Sequence, residues 1–264
     1  MPTKIAVNGA AGRMGQRLIA LGSVASDLDV IAALEHTGHP NFGKDAGQIA
    51  GIEPIGVLLG DALPSEVESV IDFSVPAACE SIVEKCLEQK TPLVVATTGL
   101  GESQKQKVHD ASRSIPLVWA PNMSLAVNLT MKLAETAGAA LKDAPGGADV
   151  EIIERHHHFK EDAPSGTALR FGELIAAVMG QEKHQHGRQG MTGQRPQNEI
   201  GYHALRVGDN PGEHTIVFGM LGETIELTVR ATNRDCYALG ALAAAKFVAK
   251  QDPGIYNMYD VLGL

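Results

Sequence analysis

The feature that most restricts the fold is a glycine turn set between a short apolar run and a helix. Lys4 to Asn8 reads as a strand, Gly9-Ala10-Ala11-Gly12-Arg13-Met14-Gly15 follows at once, and a helical pattern runs from about Met14 to Leu21. Gly9 allows a tight turn, Gly12 lets the backbone approach a pyrophosphate, and Gly15 lets the helix pack closely on the strand. A pyrophosphate there sits at a helix N-terminus, where free N–H groups and the dipole favour anions. A glycine triplet alone is a weak signal. Here a second strand, Asp29 to Leu34, follows and runs into Glu35. An acidic residue about 20 positions past the turn is where a carboxylate accepts from the ribose hydroxyls of a dinucleotide.

The alternation continues. Ser69 to Ser74, Pro92 to Thr97 and Ile115 to Ala120 read as apolar strands, with helices from Pro76 to Lys90 and from about Glu102 to Ser114. Strands and helices at this spacing predict a parallel sheet with right-handed crossovers, binding its ligand outside the carboxyl ends of the strands. Those ends are Gly9, Glu35, Phe73-Ser74, Thr97-Thr98 and Ala120-Pro121-Asn122. The nicotinamide half of the coenzyme is therefore expected near Thr97, Thr98 and Asn122.

Composition excludes several classes. At 264 residues with 44% apolar content the chain can build one or two domains with a real core. A formal charge of −9 argues against general nucleic-acid or membrane-surface binding. Cys79, Cys86 and Cys236 make no disulfide framework. No run approaches a membrane-spanning length, and no basic-then-apolar leader precedes the first strand, so a soluble cytoplasmic protein is expected.

After Asn122 the pattern changes. Leu125 to Leu141 is one long helix and Asp149 to Arg155 a strand. The chain then enters a polar run holding His156, His157, His158 and Lys160. Pro164 interrupts it, and Ser165-Gly166-Thr167 opens an apolar helical pattern to Met179. Proton donors thus lead into free N–H groups at a helix start, which suits a small anionic substrate that needs a proton. Taken separately, such histidines are often a solvated loop and such a serine an ordinary N-cap. Metal is not expected: adjacent histidines point to opposite sides of an extended chain, and there is no HExxH spacing.

His184 to Asn198, with Gly187, Gly190 and Gly193, reads as a long mobile loop, a lid or contact arm. Glu199 to Val207, Glu213 to Gly219 and Glu223 to Ala231 read as consecutive strands. An alanine-rich helix, Tyr237 to Lys250, packs closely and is returned to the first domain. The fold class is thus α/β: a Rossmann-type domain, 1–124 completed by 236–264, with an inserted α+β domain, 125–235, whose open mixed sheet serves substrate binding and oligomerisation. The two crossings are expected to act as hinges. A sheet face without a covering helix predicts self-association through it.

The run Glu151-Ile-Ile-Glu154-Arg-His156-His157-His158-Phe159-Lys160-Glu161-Asp162-Ala163-Pro164-Ser165-Gly166-Thr167-Ala168 resembles the pattern of the 4-hydroxy-tetrahydrodipicolinate reductase family, formerly called dihydrodipicolinate reductase. The Gly9 turn, Asp72-Phe73-Ser74, Thr97-Thr98-Gly99, Gly212-Glu213-His214, Arg230 with Arg234, and the C-terminal YNMYDVLGL fall in register with it. The resemblance implies a cytoplasmic enzyme of the diaminopimelate route to lysine that reduces a small dianionic cyclic substrate with NADH or NADPH and loss of water. It also implies a homotetramer joined through the second-domain sheet. His156 is implied as proton donor and Lys160 as a second donor or charge stabiliser. His157, Ser165, Gly166, Thr167 and Thr98 are implied to hold substrate. Gly9, Ala10, Ala11, Gly12, Arg13, Met14, Glu35, His36, Ala96, Thr97, Thr98, Ala120, Pro121, Asn122 and Met123 are implied to contact coenzyme.

Three positions depart from the family pattern. His36 stands where many members carry Arg, and a mostly neutral imidazole grips the 2′-phosphate of NADPH less well. With Glu35 beside it, NADH is the favoured coenzyme. Ala96 replaces a common Gly, and His158 a frequent Arg, so no role is carried onto His158. Two other classes stay open from the residues alone. One is another Rossmann-type dehydrogenase of amino-acid biosynthesis, though a semialdehyde dehydrogenase would need a strand-end cysteine that is absent here. The other is a non-catalytic nucleotide sensor, which would not need His156 and Lys160 beside an anion site.

Overall fold

Ile5, Ala6 and Val7 have no solvent exposure, and the strand that carries them runs through the interior of a parallel sheet. The computed structural model describes residues 1–264, which form two units: Met1–Leu125 with Arg234–Leu264, and Ala126–Asn233. In chain order the first unit contains β1 (Thr3–Asn8), α1 (Arg13–Gly22), β2 (Leu28–Leu34), α2 (Ala46–Ile49), β3 (Leu59–Gly60), β4 (Ser69–Asp72), α3 (Pro76–Gln89), β5 (Leu93–Val95), α4 (Glu102–Ala111) and β6 (Pro116–Trp119). The second contains α5 (Leu125–Leu141), β7 (Asp149–His156), α6 (Gly166–Met179), β8 (Lys183–His186), β9 (Glu199–Arg206), β10 (Gly212–Met220) and β11 (Glu223–Ala231). The chain then returns to the first unit with α7 (Asp235–Val248), β12 (Gly254–Tyr256) and α8 (Met258–Leu262). No helix is long and apolar enough to cross a membrane.

The first sheet has the order β12-β6-β5-β4-β1-β2-β3, with every pair parallel. Its strands read as unbroken apolar runs because both faces are covered. Strand alternation sends Ile5, Val7, Ile71, Val94 and Val118 into the layer of α1 and α7. Ala6, Val70, Leu93, Val95 and Leu117 go to the opposite layer with Cys79, Cys86 and Val108 of α3 and α4. The order reverses at β1, between β2 and β4, so the crevice for a ligand opens beyond the carboxyl ends of these strands. The two cysteines are core residues, with thiols pushed well above their ordinary range by burial and then by Asp72.

Several elements differ from the sequence expectation. Helix α2 and strands β3 and β12 were not expected; they are too short to show a period. Asp45 builds the α2 turn by accepting from the N–H groups of Gly47, Gln48, Ile55 and Gly56. Strand β4 stops at Asp72 rather than Ser74, because the side chains beyond it turn into a polar network described below.

The second sheet has the order β11-β10-β7-β9-β8 and is mixed: β7 runs antiparallel to β10 and parallel to β9. Burial alternates along β7, with Val150, Ile152, Glu154 and His156 inside and Ile153 and Arg155 outside. The inner face packs on Ala168, Phe171 and Ile175 of α6, and Gly138 of α5 lies against Val178 and Met179. The outer face carries no helix, and Ile153 and Leu205 stand exposed on it.

The segment from His184 to Asn198 is not the long mobile loop that its glycines suggest. It begins as β8, paired in parallel with β9. Arg188 then bonds Glu151 and Glu199, and Arg195 bonds Asp149, Glu151 and the carbonyls of Val150 and Glu199. Burial raises the Glu151 carboxyl, but bonds from Arg188, Arg195 and His203 outweigh it and hold it at about 2. These charge-assisted bonds fasten the segment along the sheet.

Candidate active site

In the first unit the glycine turn has the shape its sequence implies. Gly9 has φ +76°, and a Cβ on Gly15 would lie 2.2 Å from the Gly9 carbonyl oxygen, so the helix start sits directly on the turn. The N–H groups of Gly9 and Ala10 are bonded to the Leu34 carbonyl, and that of Gly12 to Gly9. Gly12 is the N-cap of α1 and supplies no side-chain cap. The first helical bond runs from the Gln16 N–H to the Gly12 carbonyl, so the N–H groups of Arg13, Met14 and Gly15 lie ahead of it and define an anion site. Glu35 closes β2, accepting from the Ala11 N–H at 3.4 Å and the His36 N–H at 3.1 Å. Beyond it lies a cleft lined by Asn8, Leu34, Glu35, His36, Asp61 and Lys85, among others. An anion site followed by a carboxylate and a partly apolar cleft fits the pyrophosphate, ribose and base of a dinucleotide.

The other coenzyme candidates divide between surface and interior. Thr98 and Pro121 are exposed, and Asn122 is half-buried with its side-chain Oδ1 accepting from the Ser124 N–H. Ala96, Ala120 and Met123 are core residues, Met123 at 1% exposure, so only their backbone can face a ligand. Thr97 is 4% exposed, and its hydroxyl donates to Asp72 Oδ2 at 2.7 Å and accepts from the Ser74 N–H at 2.9 Å. Asp72 also accepts from Asn8 Nδ2 at 2.8 Å and Ser74 Oγ at 2.5 Å. This buried network of Asn8, Asp72, Ser74 and Thr97 joins the ends of β1, β4 and β5 beside the crevice. Its signal in the sequence is a lone acidic residue ending an apolar strand.

In the second unit His156 ends β7, two residues from Glu154 on the same inner face, because side chains alternate along a strand. Glu154 is 1% exposed and His156 8%. Nδ1 of His156 lies 2.5 Å from Glu154 Oε2. Arg206, from β9, donates to both Glu154 oxygens at 2.8 Å, and the Ser165 N–H donates to Oε1 at 3.1 Å. Burial raises the Glu154 carboxyl, but these bonds from His156 and Arg206 outweigh it and hold it at about 2. His214 stands opposite Glu154 on β10, with its ring edge-on to His156 at 5.2 Å. Burial first, and then His156, lower His214 to about 4, so it is neutral at pH 7.

Ser165 caps α6, its hydroxyl accepting from the Ala168 N–H at 3.2 Å and meeting His214 Nε2 at 3.0 Å. At 2% exposure that hydroxyl is turned inward, away from a carboxylate in solution. Gly166 is exposed and Thr167 half-buried, so the helix start presents their groups instead. His157 donates its backbone N–H to Asn210, and its Nδ1 is buried without a partner. Lys160 Nζ is 2.7 Å from Asp162 Oδ1, and its charge is felt at His214. His158 is exposed and packs on Phe159 at 3.8 Å between ring centres. No group of His, Cys, Asp and Glu side chains is placed to hold a metal. Sequence reasoning missed Arg206 and gave no role to His214, though Gly212-Glu213-His214 stands in register with the family pattern; both come from other strands, and Glu154 was findable as the i−2 neighbour of a histidine on a strand.

Fold and site define a class: an oxidoreductase of the Rossmann type, with an inserted mixed sheet that carries a buried histidine–carboxylate pair beside a helix start. Family models described as dihydrodipicolinate reductase, N-terminus, and dihydrodipicolinate reductase, C-terminus, match residues 3–123 and 126–262. The chain belongs to the dihydrodipicolinate reductase family. It is 57% identical to the 4-hydroxy-tetrahydrodipicolinate reductase of Rhodopirellula baltica, covering 100% of this chain and 97% of that one. It is 46% identical to the enzyme of the same name from Alkalilimnicola ehrlichii, covering 100% of both. The solved structure of dipicolinate-bound dihydrodipicolinate reductase from Paenisporosarcina sp. TG-14 shares the fold, with a TM-score of 0.78 at 24% identity over 98% of this chain and 99% of that one.

Proposed function

We propose that this enzyme reduces 4-hydroxy-tetrahydrodipicolinate to tetrahydrodipicolinate with loss of water, using NADH or NADPH, in the diaminopimelate route to lysine. The observation that carries the reading is His156, held by Glu154 beside the Gly166-Thr167 helix start and Lys160. The reduced coenzyme, bound by the glycine turn and Glu35, supplies the hydride. Loss of water leaves a conjugated ring, and hydride addition leaves an enamine whose neighbouring carbon needs a proton. His156 gives that proton from Nε2, since Nδ1 faces the carboxylate. Lys160 offsets the negative charge of the substrate and of the developing enamine.

The substrate carboxylates are held by the N–H groups of Gly166 and Thr167, by the Thr167 hydroxyl and by His157, whose buried unpartnered Nδ1 awaits a polar neighbour. Ser165 serves by shaping the helix start. A net charge of −9 opposes a dianion at long range, so these local groups supply the attraction. Glu35 accepts from the ribose hydroxyls of NADH and repels the 2′-phosphate of NADPH, which makes NADH the favoured coenzyme. The outer face of the second sheet, with Ile153 and Leu205 exposed, supports a homotetramer joined there. The cytoplasm is the compartment this reaction implies.

The test is loss of nicotinamide absorbance on adding freshly made cyclic substrate, run with each coenzyme. Oxidation of neither one would sink the assignment.

A further inference from the structure

Glu154 is buried and anionic, and every group around it donates. Oε2 takes His156 Nδ1 and Arg206 Nη1; Oε1 takes Arg206 Nη2 and the Ser165 N–H. An ionised carboxylate accepts hydrogen bonds and has none to give. The fork of Arg206, with both Nη groups at 2.8 Å, keeps it ionised. The ring nitrogen 2.5 Å away must therefore carry a hydrogen. Nε2 is left as the nitrogen that takes up and releases a proton. A Cβ at position 212 would lie 3.0 Å from that Nε2, and Gly212 leaves its flank clear.

The same ion pair reaches the other parts of the site. Through the Ser165 N–H, Glu154 fixes the N-cap of α6, and with it the Gly166 and Thr167 N–H groups. Arg206 Nη2 also donates to the Asp162 carbonyl at 2.6 Å, and the Asp162 carboxylate holds Lys160 at 2.7 Å. The Glu154–Arg206 pair thus bonds His156 directly, the Ser165 N–H at the helix start, and the backbone of Asp162, whose carboxylate holds Lys160.

We propose that Glu154, locked by Arg206, is the positioning residue of the reaction: it sets the tautomer of His156 and fixes the distance between the proton on Nε2 and the carboxylate cradle. The inference rests on His156 as proton donor. A merely structural pair would also cost stability when broken, since removing one partner strands a buried charge. The test therefore needs readouts that stability does not move.

The first readout uses the unaltered enzyme. Nitrogen NMR of 15N-histidine protein, with the His156 signals identified by their loss in His156→Ala, should show hydrogen on Nδ1 at neutral pH. Hydrogen on Nε2 with a bare Nδ1 would overturn the proposal, whether or not any Glu154 variant folds. The second uses Glu154→Gln, which keeps the shape and removes the charge. We expect kcat to fall roughly 10- to 1000-fold, with coenzyme affinity unchanged and the His156 tautomer altered. Added to His156→Ala, the same change should cost no further turnover. A folded Glu154→Gln enzyme with normal kcat, or a full additional loss in the double variant, would overturn the proposal. Near-normal turnover in His156→Ala alone would instead sink the proton-donor reading, and the tautomer measurement tells the two failures apart.

Discussion

Glu154 Oε2 and His156 Nδ1 lie 2.5 Å apart on the buried face of β7, two residues from each other in the chain. The carboxylate can only accept there, so under the proposed function the far nitrogen of the ring is the one left for proton chemistry. His156→Ala should lower turnover by roughly two to four orders of magnitude, the usual worth of a general acid. NADH affinity should barely change, because the glycine turn and Glu35 belong to the other unit. Steady-state kinetics with a coenzyme titration checks both, and near-normal turnover would remove His156 from the role.

The carboxylate cradle proposed at the start of α6 predicts a different pattern. Thr167→Val should weaken substrate binding by about 1–3 kcal/mol if its hydroxyl serves a charged carboxylate. Lys160→Ala should reduce both binding and turnover, since its charge matters before and during the reaction. Pyridine-2,6-dicarboxylate, a planar dianion shaped like the product, should inhibit the parent and lose its hold on both variants. Unchanged inhibition in either variant would count against that residue.

Under the proposed reading, coenzyme choice turns on Glu35 and His36, just past the end of β2. NADH should be favoured over NADPH by about tenfold, about 1.4 kcal/mol. His36→Arg should narrow the gap, and Glu35→Ala should weaken NADH while sparing NADPH. Coenzyme titrations on the parent and both variants decide the matter; a parent that binds NADPH more tightly than NADH would overturn it.

Thr97 was expected as a coenzyme contact, yet its hydroxyl faces Asp72. Thr97→Val leaves Asp72 Oδ2 and the Ser74 N–H each short of a partner. It should therefore lower stability by about 1–3 kcal/mol. Its effect on NADH affinity should be smaller than that of Glu35→Ala. Chemical denaturation beside a binding titration separates the two roles, and a stable variant with lost NADH affinity would restore Thr97 as a ligand.

The second unit should lose stability in acid in two stages. His214 falls from its ordinary 6.5 to about 4 in the folded protein through burial and the neighbouring His156. Between those values the unfolded chain binds the proton first, so this contribution is complete above pH 6.5 and drains away down to about 4. It amounts to roughly 3 kcal/mol. Glu151 and Glu154 stand at about 2 against an ordinary 4.5, so their contribution is present above 4.5 and lost as the pH falls towards 2. Urea midpoints across this range should decline from pH 6.5, and His214→Gln should flatten the upper stage. A parent midpoint that stays level between pH 7 and 5 would refute the assignment to His214.

Much was legible from the residues in order. The glycine turn, the alternation of apolar strands with helices and the acid at the end of β2 are local signals, set by turn geometry and side-chain period. They carried the parallel sheet and the insertion, and from them comes the proposed place of the coenzyme. The polar run after β7 and the cap before α6 marked the proposed second site, since a strand end and a helix start announce themselves within a few residues. Tertiary structure alone decided what those groups bond to. Arg206 reaches Glu154 across 52 positions, His214 meets Ser165 across 49, and Asn8 finds Asp72 across 64. Such pairs depend on which strands lie side by side and in what register, and no local period encodes that. The same limit hid β3 and β12, two and three residues long, which exist only because a neighbouring strand offers them an edge. It also hid the fastening of the glycine-rich segment, whose arginines find their carboxylates only once β7 and β9 are paired.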